Sequence, residues 1–214
     1  MEFDQYLACV EKLKENCKEA SQIYSNNPKK IAWIFQKYLV CAILSSIPDR
    51  QRTLRELEMN KTLFQTSTGE WIIKHTADDY KTGKFYGDRS PLKIREDIYP
   101  FIEEYLNVWR KHLNPNHNYF FSQMNGNPPT HRNFIYNLFT MTIYKLTGKK
   151  TNPHMIRDMI VTYFKRKNAS ESEMESLAMY MGHSVSIQKS VYDRRSKNEK
   201  MKPAIDLMKS IKIS

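Results

Sequence analysis

The sequence of 214 residues has few cysteines and no long apolar run. Its three cysteines, Cys9, Cys17 and Cys41, form no CxxC pair, so the sequence predicts neither a disulfide framework nor a zinc site. The longest apolar run, YLVCAIL from Tyr38, is far too short to span a bilayer, and the first residues lack the pattern of a secretory signal. These absences exclude a transmembrane protein and a disulfide-stapled secreted domain, and we expect a soluble cytoplasmic protein.

The chain also has fewer acidic than basic residues. The chain has 34 Lys and Arg residues against 23 Asp and Glu residues, a formal net charge of +11. Each Lys or Arg that neutralises a phosphate releases a condensed counterion, so a chain this basic favours a polyanionic partner. Nucleic acid is the leading hypothesis on this ground, and the alternatives are an anionic membrane surface or a charge that serves only solubility.

The common motifs of nucleotide and metal enzymes are missing as well. GxGxxG, HExxH and GxSxG do not occur. TGKKT around Gly148 is not a P-loop, because the preceding glycine is absent and Lys150 stands where the Lys-Ser/Thr pair is required. The histidines show no zinc-finger spacing with cysteine. The sequence therefore predicts no metal and no cofactor.

The periodicity of the apolar residues predicts a mainly α-helical domain with a small antiparallel β-sheet, an α+β fold. A first helix covers the stretch before SNNPKK, and a second, apolar on nearly all sides, runs from Pro28 to about Ser46. Pro48 is predicted to open a third helix, because proline is tolerated in a first helical turn. β-formers and turn residues between Lys61 and Leu92 predict two or three short strands.

Helical patterning returns at about Arg95 and continues through most of the remaining chain. Capping residues predict where these later helices begin and end. One helix is predicted from Thr130 to Gly148, and a tail helix from about residue 197 to residue 214. Another ends at Gly182 and begins at Ser170, paired with Glu173, or at Ser172, paired with Glu175.

The last third of the chain contains a histidine–arginine pair at a predicted helix start. Asn152 and Pro153 are typical of an N-cap and a first helical position, which places His154 and Arg157 three residues apart on one face. A guanidinium offers a planar fork of donors and an imidazole offers a titratable nitrogen, a combination that suits a phosphate. Alone, this HxxR pattern is weak, because a surface pair on a basic helix has the same sequence.

A second histidine and a tyrosine follow. Gly182 and His183 lie at a predicted break between two helices. His183 comes 26 residues after Arg157, and Tyr192 comes nine residues after His183, among basic residues. Each of them alone is better explained as a turn residue or a half-buried aromatic. The joint spacing is much rarer by chance than any of its parts, so it indicates a functional constellation.

Two upstream segments supply further cations. SIPDRQRTLREL contains Arg50, Arg52 and Arg55 around a predicted helix start, where an arginine can share an anion with backbone N–H groups. DDYKTGKFYGDRSPL contains Lys81 and Lys84 in a predicted turn, from which an ammonium can reach a bound duplex. Taken by themselves, both segments are ordinary solvated charges.

Taken in chain order, these residues resemble the active-site series of the tyrosine recombinases, the phage-integrase family. The resemblance runs from about residue 30 to about residue 202 and is strongest in HMIRDM, LAMYMGHS and the tyrosine beyond them. YKTGK followed by SPL is similar to the family's lysine-bearing β-hairpin. The expected fold is the catalytic-domain fold of that family. The catalytic residues that the resemblance implies are Arg50, Lys81, His154, Arg157, His183 and Tyr192.

The sequence departs from the family pattern around the first arginine. Gly-Leu-Arg-x-x-Glu is absent, and PDRQRTLREL points to Arg50 while leaving Arg52 open. Asp158 stands where a histidine often follows the second arginine. By resemblance, residues 1–27 are an N-terminal helix or linker, a remnant of or a link to a core-binding domain, and residues 28–214 are the catalytic domain with its tail helix.

The family's reaction is attack of a tyrosine hydroxyl on a DNA phosphate, which gives a 3′-phosphotyrosyl link and a free 5′-hydroxyl. The covalent ester retains the free energy of the broken bond, so the chemistry needs neither metal nor ATP. A phenol with an ordinary pKa of about 10 needs a proton acceptor, and the leaving oxygen needs a proton. The implied roles are nucleophile for Tyr192, phosphate neutralisation for Arg50 and Arg157, proton acceptor for His154, proton donor for Lys81, and hydrogen-bond donor to the phosphate for His183.

The resemblance therefore implies a site-specific recombinase or integrase of a mobile element, acting on double-stranded DNA. It implies a monomer in free solution that forms a homotetramer on two duplexes, located in the cytoplasm and on the nucleoid when bound. Two other functions remain open at this point. One is a catalytically silent DNA-binding relative or accessory factor, and the other is a type IB topoisomerase-like relaxing enzyme.

Overall fold

The computed structural model describes residues 1–80 and 83–211, and the fold is mainly helical with one small sheet. The α-helices of the described part are α1 (Phe3–Ile23), α2 (Pro28–Ser46), α3 (Gln51–Arg55), α4 (Gly83–Tyr86), α5 (Tyr99–Glu104), α6 (Phe134–Thr147), α7 (Met155–Arg166), α8 (Glu171–Met181), α9 (Val185–Ile187) and α10 (Lys197–Lys209). Short 3-10 or π-helical segments precede α5 (Glu96–Ile98), follow it (Tyr105–Trp109 and Arg110–Leu113) and follow α9 (Gln188–Tyr192). The strands are β1 (Leu63–Gln65), β2 (Trp71–Ile73) and β3 (Leu92–Lys93). The predicted fold class is confirmed. Within the described part of the chain, none of the helices is both long and apolar enough to cross a membrane.

The N-terminal helix shares its core with the helices that follow. Tyr6 of α1 is fully buried, its hydroxyl donates to the Cys41 carbonyl of α2 at 2.6 Å, and its ring lies 5.9 Å from Phe139 of α6. Phe3 meets Tyr163 of α7 edge to face, with 5.4 Å between the ring centroids. Residues 3–23 are therefore part of the same hydrophobic core as α2, α6 and α7.

The small sheet comes from the segment where strands were predicted. β1 pairs with β2 and β2 with β3, both antiparallel, so the order is β1-β2-β3. Gly69 takes a positive φ of 86° in the turn between the first two strands, a conformation that glycine adopts without steric cost. The connection from β2 to β3 contains the predicted lysine turn, and Lys81 lies outside the described residues.

The start of the third helix differs from the prediction. α3 begins at Gln51 with Arg50 at its N-cap, and Pro48 stands before it in irregular backbone. The Asp49 carboxylate accepts the Arg50 N–H at 2.7 Å, while Thr53 Oγ1 donates to the Arg50 carbonyl at 2.7 Å. These two bonds satisfy the backbone of Arg50 and place the first turn of the helix after it.

The helices of the last third follow their capping residues closely. Ser170 and Glu173 form the predicted capping box, with the Ser170 N–H donating to the Glu173 carboxylate at 2.7 Å. Gly148 and Gly182 end α6 and α8 in the left-handed conformation. α6 starts at Phe134 and not directly after Thr130, because residues 131–133 form a turn in which His131 Nδ1 accepts the N–H of residue 133. α10 follows the predicted tail helix as far as Lys209.

Candidate active site

Tyr192 lies at the end of a single π-helical turn, Gln188–Tyr192, that continues α9. The residue is 5% exposed. Thr162 of α7 fixes the backbone on both sides of this end: its hydroxyl donates to the Tyr192 carbonyl at 3.3 Å and accepts the Arg194 N–H at 3.0 Å. The tyrosine-bearing segment is thereby attached to the same helix that carries Arg157.

The structure gathers three of the predicted residues around the Tyr192 ring. The His183 ring meets it edge to face at 4.7 Å, and the His154 ring lies 5.5 Å from it, measured between centroids. The guanidinium carbon of Arg157 lies 5.3 Å from the centroid of the same ring. Residues up to 38 positions apart in the sequence therefore form one cluster, which is the arrangement that their joint spacing indicated.

Arg157 is the most deeply placed member of the cluster, with 1% of its surface exposed. Its Nη2 donates to the Met181 carbonyl and to His183 Nδ1, both at 2.6 Å. Its Nε and Nη1 are buried and have no hydrogen-bond partner within residues 1–80 and 83–211. A buried cation with unused donors is costly unless an anion takes them, so these two nitrogens are the natural contact for a phosphate.

A chain of hydrogen bonds sets the tautomer of His183. Gln188 Nε2 donates to the Met174 carbonyl at 2.7 Å, which leaves Gln188 Oε1 to accept from His183 Nε2 at 3.1 Å. A guanidinium has no acceptor, so Arg157 must donate to His183 Nδ1. His183 is therefore neutral with its proton on Nε2, and it holds the Arg157 guanidinium in place.

Both histidines of the cluster are neutral at pH 7. Burial lowers the pKa of His183 to about 4, and the neighbouring Arg157 charge adds to the effect. Burial also lowers the pKa of His154, although the Asp158 carboxylate works in the opposite direction. A neutral imidazole has a free lone pair on one nitrogen, so His154 can accept a proton from a nearby phenol.

Of the two candidate first arginines, Arg50 is the one whose charge acts on the cluster. After burial, its charge is one of the causes that lower the pKa of His154, Arg157 and His183. Arg52 points elsewhere, because its Nε donates to Glu56 at 2.9 Å and its side chain is 55% exposed. These charge effects favour Arg50 as the partner of Arg157, while Lys81 lies outside the described residues.

The sequence reasoning missed Gln188, Thr162 and the pair Asp49 and Arg89 around the cluster. Gln188 is 1% exposed and Thr162 is 4% exposed, and neither belongs to a recognisable motif. Asp49 is adjacent to Arg50 in PDRQR, and the other arginine lies in GDRSPL beside the lysine turn. The only sequence signal for Asp49 and Arg89 was their position beside Arg50 and beside the lysine turn.

No protein-family model matches the sequence, and no curated protein matches it. Solved structures do. The crystal structure of XerA recombinase aligns with a TM-score of 0.58 at 16% identity, covering 93% of this chain and 62% of that one. XerH site-specific recombinase bound to palindromic difH substrate, a post-cleavage complex, aligns with a TM-score of 0.66 at 15% identity, covering 97% and 51%. The pre-cleavage complex of XerH bound to difH substrate aligns with a TM-score of 0.61 at 15% identity, covering 98% and 53%.

This chain spans between about half and three fifths of the length of these recombinases. The agreement covers nearly all of the present chain. At such low identity the similarity shows that the arrangement of the elements is shared. The chain therefore has the fold of the tyrosine recombinase catalytic domain.

Proposed function

We propose that this chain is the catalytic domain of a site-specific DNA recombinase that cuts and rejoins strands through a 3′-phosphotyrosyl intermediate. The observation that carries the proposal is the packing of the Tyr192 ring against His154, His183 and Arg157. The similarity to the Xer site-specific recombinases supports a recombinase-like function. The net charge of +11 suits a DNA partner.

In the proposed reaction the Tyr192 oxygen attacks the phosphorus, and its proton passes to the neutral His154. The bond between phosphorus and the 5′-oxygen breaks, and Lys81 protonates the leaving oxygen. Arg50 and Arg157 stabilise the charge that develops on the non-bridging oxygens. A 5′-hydroxyl of another strand then attacks the phosphotyrosine, which releases the tyrosine and reforms a DNA backbone bond.

The buried position of Arg157 sets a condition on this reaction. Its Nε and Nη1 are the unused donors, yet they are covered in the structure, so the surrounding side chains must move before a phosphate can reach them.

The role of His183 as a hydrogen-bond donor to the phosphate stays a prediction. Its Nε2 proton is directed to Gln188, and that bond has to be exchanged for one to the phosphate.

The assembly and setting that the resemblance implies belong to the same proposal. The protein is a monomer in free solution and a homotetramer on two duplexes, it acts in the cytoplasm on nucleoid DNA, and it serves a mobile element. Residues 28–214 are the catalytic domain, and residues 1–27 are an N-terminal helix or linker, a remnant of or a link to a core-binding domain. Light scattering of the protein with and without a cognate duplex measures the change from one copy to four.

The covalent intermediate provides the direct test. The purified chain is incubated with a pool of nicked duplexes whose sequence around the nick is randomised, so that a cleaved strand cannot religate. We expect an SDS-resistant protein–DNA adduct from the wild type and none from Tyr192→Phe. Tyr105→Phe, which removes a fully buried hydroxyl far along the chain, is the matched control and should retain the adduct.

Sequencing of the captured strands identifies the preferred site. If the wild type binds the duplexes but forms no adduct with any of them, the enzymatic function is wrong and the silent DNA-binding alternative is supported. If Tyr192→Phe forms the adduct as well as the wild type, another residue is the nucleophile.

A further inference from the structure

Arg89 lies outside the predicted catalytic set, yet it joins two of the segments that carry that set. Its Nη1 donates to Asp49 Oδ2 at 2.6 Å and its Nη2 donates to the Tyr180 carbonyl at 2.8 Å. The side chains of Arg89 and Asp49 are 10% and 11% exposed, so the pair is largely removed from water. Asp49 directly precedes Arg50, and Tyr180 stands three residues before His183.

The carboxylate passes the connection on to the first arginine. Asp49 Oδ1 accepts the Arg50 N–H at 2.7 Å, while its Oδ2 is held by Arg89. A second bond links the same two regions, because the Tyr180 hydroxyl donates to the Ser46 carbonyl at the end of α2 at 3.1 Å. The backbone of Arg50 is thus tied to the C-terminal end of α8 along two routes.

The end of α8 is also where Arg157 is anchored. Tyr180 and Met181 present consecutive carbonyls there, of the kind that a helix leaves without intrahelical partners. Arg89 takes the first carbonyl and Arg157 takes the second. The negative end of the helix dipole favours both cations. One helix terminus therefore fixes Arg157 directly and Arg50 through Arg89 and Asp49.

An arginine suits this place better than a lysine. Its planar fork serves two acceptors in fixed directions at once, whereas a lysine ammonium is a point charge on a flexible stem. Two guanidinium groups that must clamp one phosphate need a defined separation, and a misplacement of about 1 Å can cost about a hundredfold in rate. A rigid, mostly buried link between their anchoring points provides that separation.

We propose that Arg89, acting through Asp49, is a positioning residue that sets the placement of Arg50 relative to Arg157 and His183. The inference rests on the proposed function above. Arg89 does not contact the reacting atoms, and it acts only by holding the turn before α3 against the end of α8.

The test compares Arg89→Met, Arg89→Lys and Arg110→Met. Arg110 is the matched control because it too is a largely buried arginine that donates to backbone carbonyls, those of His117 at 2.8 Å and Tyr119 at 2.7 Å, outside the cluster. The adduct-forming rate is measured at saturating nicked duplex on the folded fraction of each variant, and the affinity for the duplex is measured separately. Amide hydrogen exchange at Arg50 and His183 is followed without DNA.

We expect Arg89→Met to lower the rate about a hundredfold while the DNA dissociation constant changes less than about threefold. Arg89→Lys should recover about tenfold of that loss, because it restores the charge beside Asp49 without the second bond. The amide exchange rates of Arg50 and His183 should both rise in Arg89→Met. In Arg110→Met neither rate should rise. If Arg89→Met does not fold, the rate of Arg89→Lys is compared with the wild-type rate instead, and we expect it to be about tenfold lower.

A wild-type rate in either Arg89 variant overturns the inference, and so does an equal loss in folded Arg110→Met. Exchange that rises at only one of the two amides also overturns it, because the link is then not shared. If the wild type itself forms no adduct, the proposed function fails and the positioning role falls with it. If instead the wild type forms the adduct and Arg89→Met forms it equally fast, only the positioning role is wrong and the proposed function stands.

Discussion

Acidification should destabilise the folded protein through His183. The pKa of this residue is about 4 in the folded protein, below its ordinary value of 6.5. Between these two values the unfolded chain binds a proton that the folded protein does not, so stability is lost as the pH falls through this window. The linkage relation gives a loss of about 1.8 kcal/mol from pH 7 to pH 5. Because the ring is only half-buried and water screens part of the effect, we expect about 1 kcal/mol.

Urea unfolding at pH 7, 6 and 5 measures this loss when wild type is compared with His183→Asn. The asparagine oxygen can accept from Arg157 in place of Nδ1, but it does not titrate. His154 and His75, whose pKa values burial also lowers, are present in both proteins and cancel in the difference. If the two proteins lose stability in parallel, with their difference constant to within about 0.3 kcal/mol, the assignment of a low pKa to His183 is wrong.

Three further substitutions test other parts of the structure. Arg50→Ala should reduce adduct formation about a hundredfold while Arg52→Ala retains most of it, and the reverse result in the same gel assay would reassign the first arginine. Gly182→Ala should cost about 1 kcal/mol in thermal unfolding, since its φ of 66° disfavours any side chain, and an unchanged melting temperature would contradict this. Tyr6→Phe should cost about 1 kcal/mol in urea unfolding through the lost bond to the Cys41 carbonyl, and no loss would mean that this hydrogen bond does not stabilise the packing of α1 on α2.

Local signals in the sequence were sufficient for most of the elements and for the centre of the cluster. Helices start and end where capping residues act over three or four positions, as at Ser170 and Gly182, and such rules depend on no distant partner. His154, Arg157, His183 and Tyr192 were recognised by their spacing in the chain, and the fold brings them together.

The supporting contacts were not predictable in the same way. Asp49 and Arg89 are 40 positions apart, and they meet only because the fold brings the residues just before β3 against the end of α8. Gln188 faces His183 because the chain widens into a π-helical turn, which no residue in QKSVY indicates. Pro48 was expected to open α3, but the side chain of Asp49 provides an alternative partner for the backbone and moves the start of the helix.

The burial of Arg157 also bears on competition from small anions. A guanidinium open to solvent would be occupied by any phosphate or carboxylate present at high concentration, whereas this one offers its free nitrogens only after the Tyr192 ring and its neighbours move. A free phosphate has no other contacts with which to offset the cost of that movement. A nucleic-acid strand can offset that cost with contacts to other cationic side chains of this chain, whose net charge is +11. In the proposed reaction, occlusion as well as affinity would therefore select a phosphate that is part of a long strand.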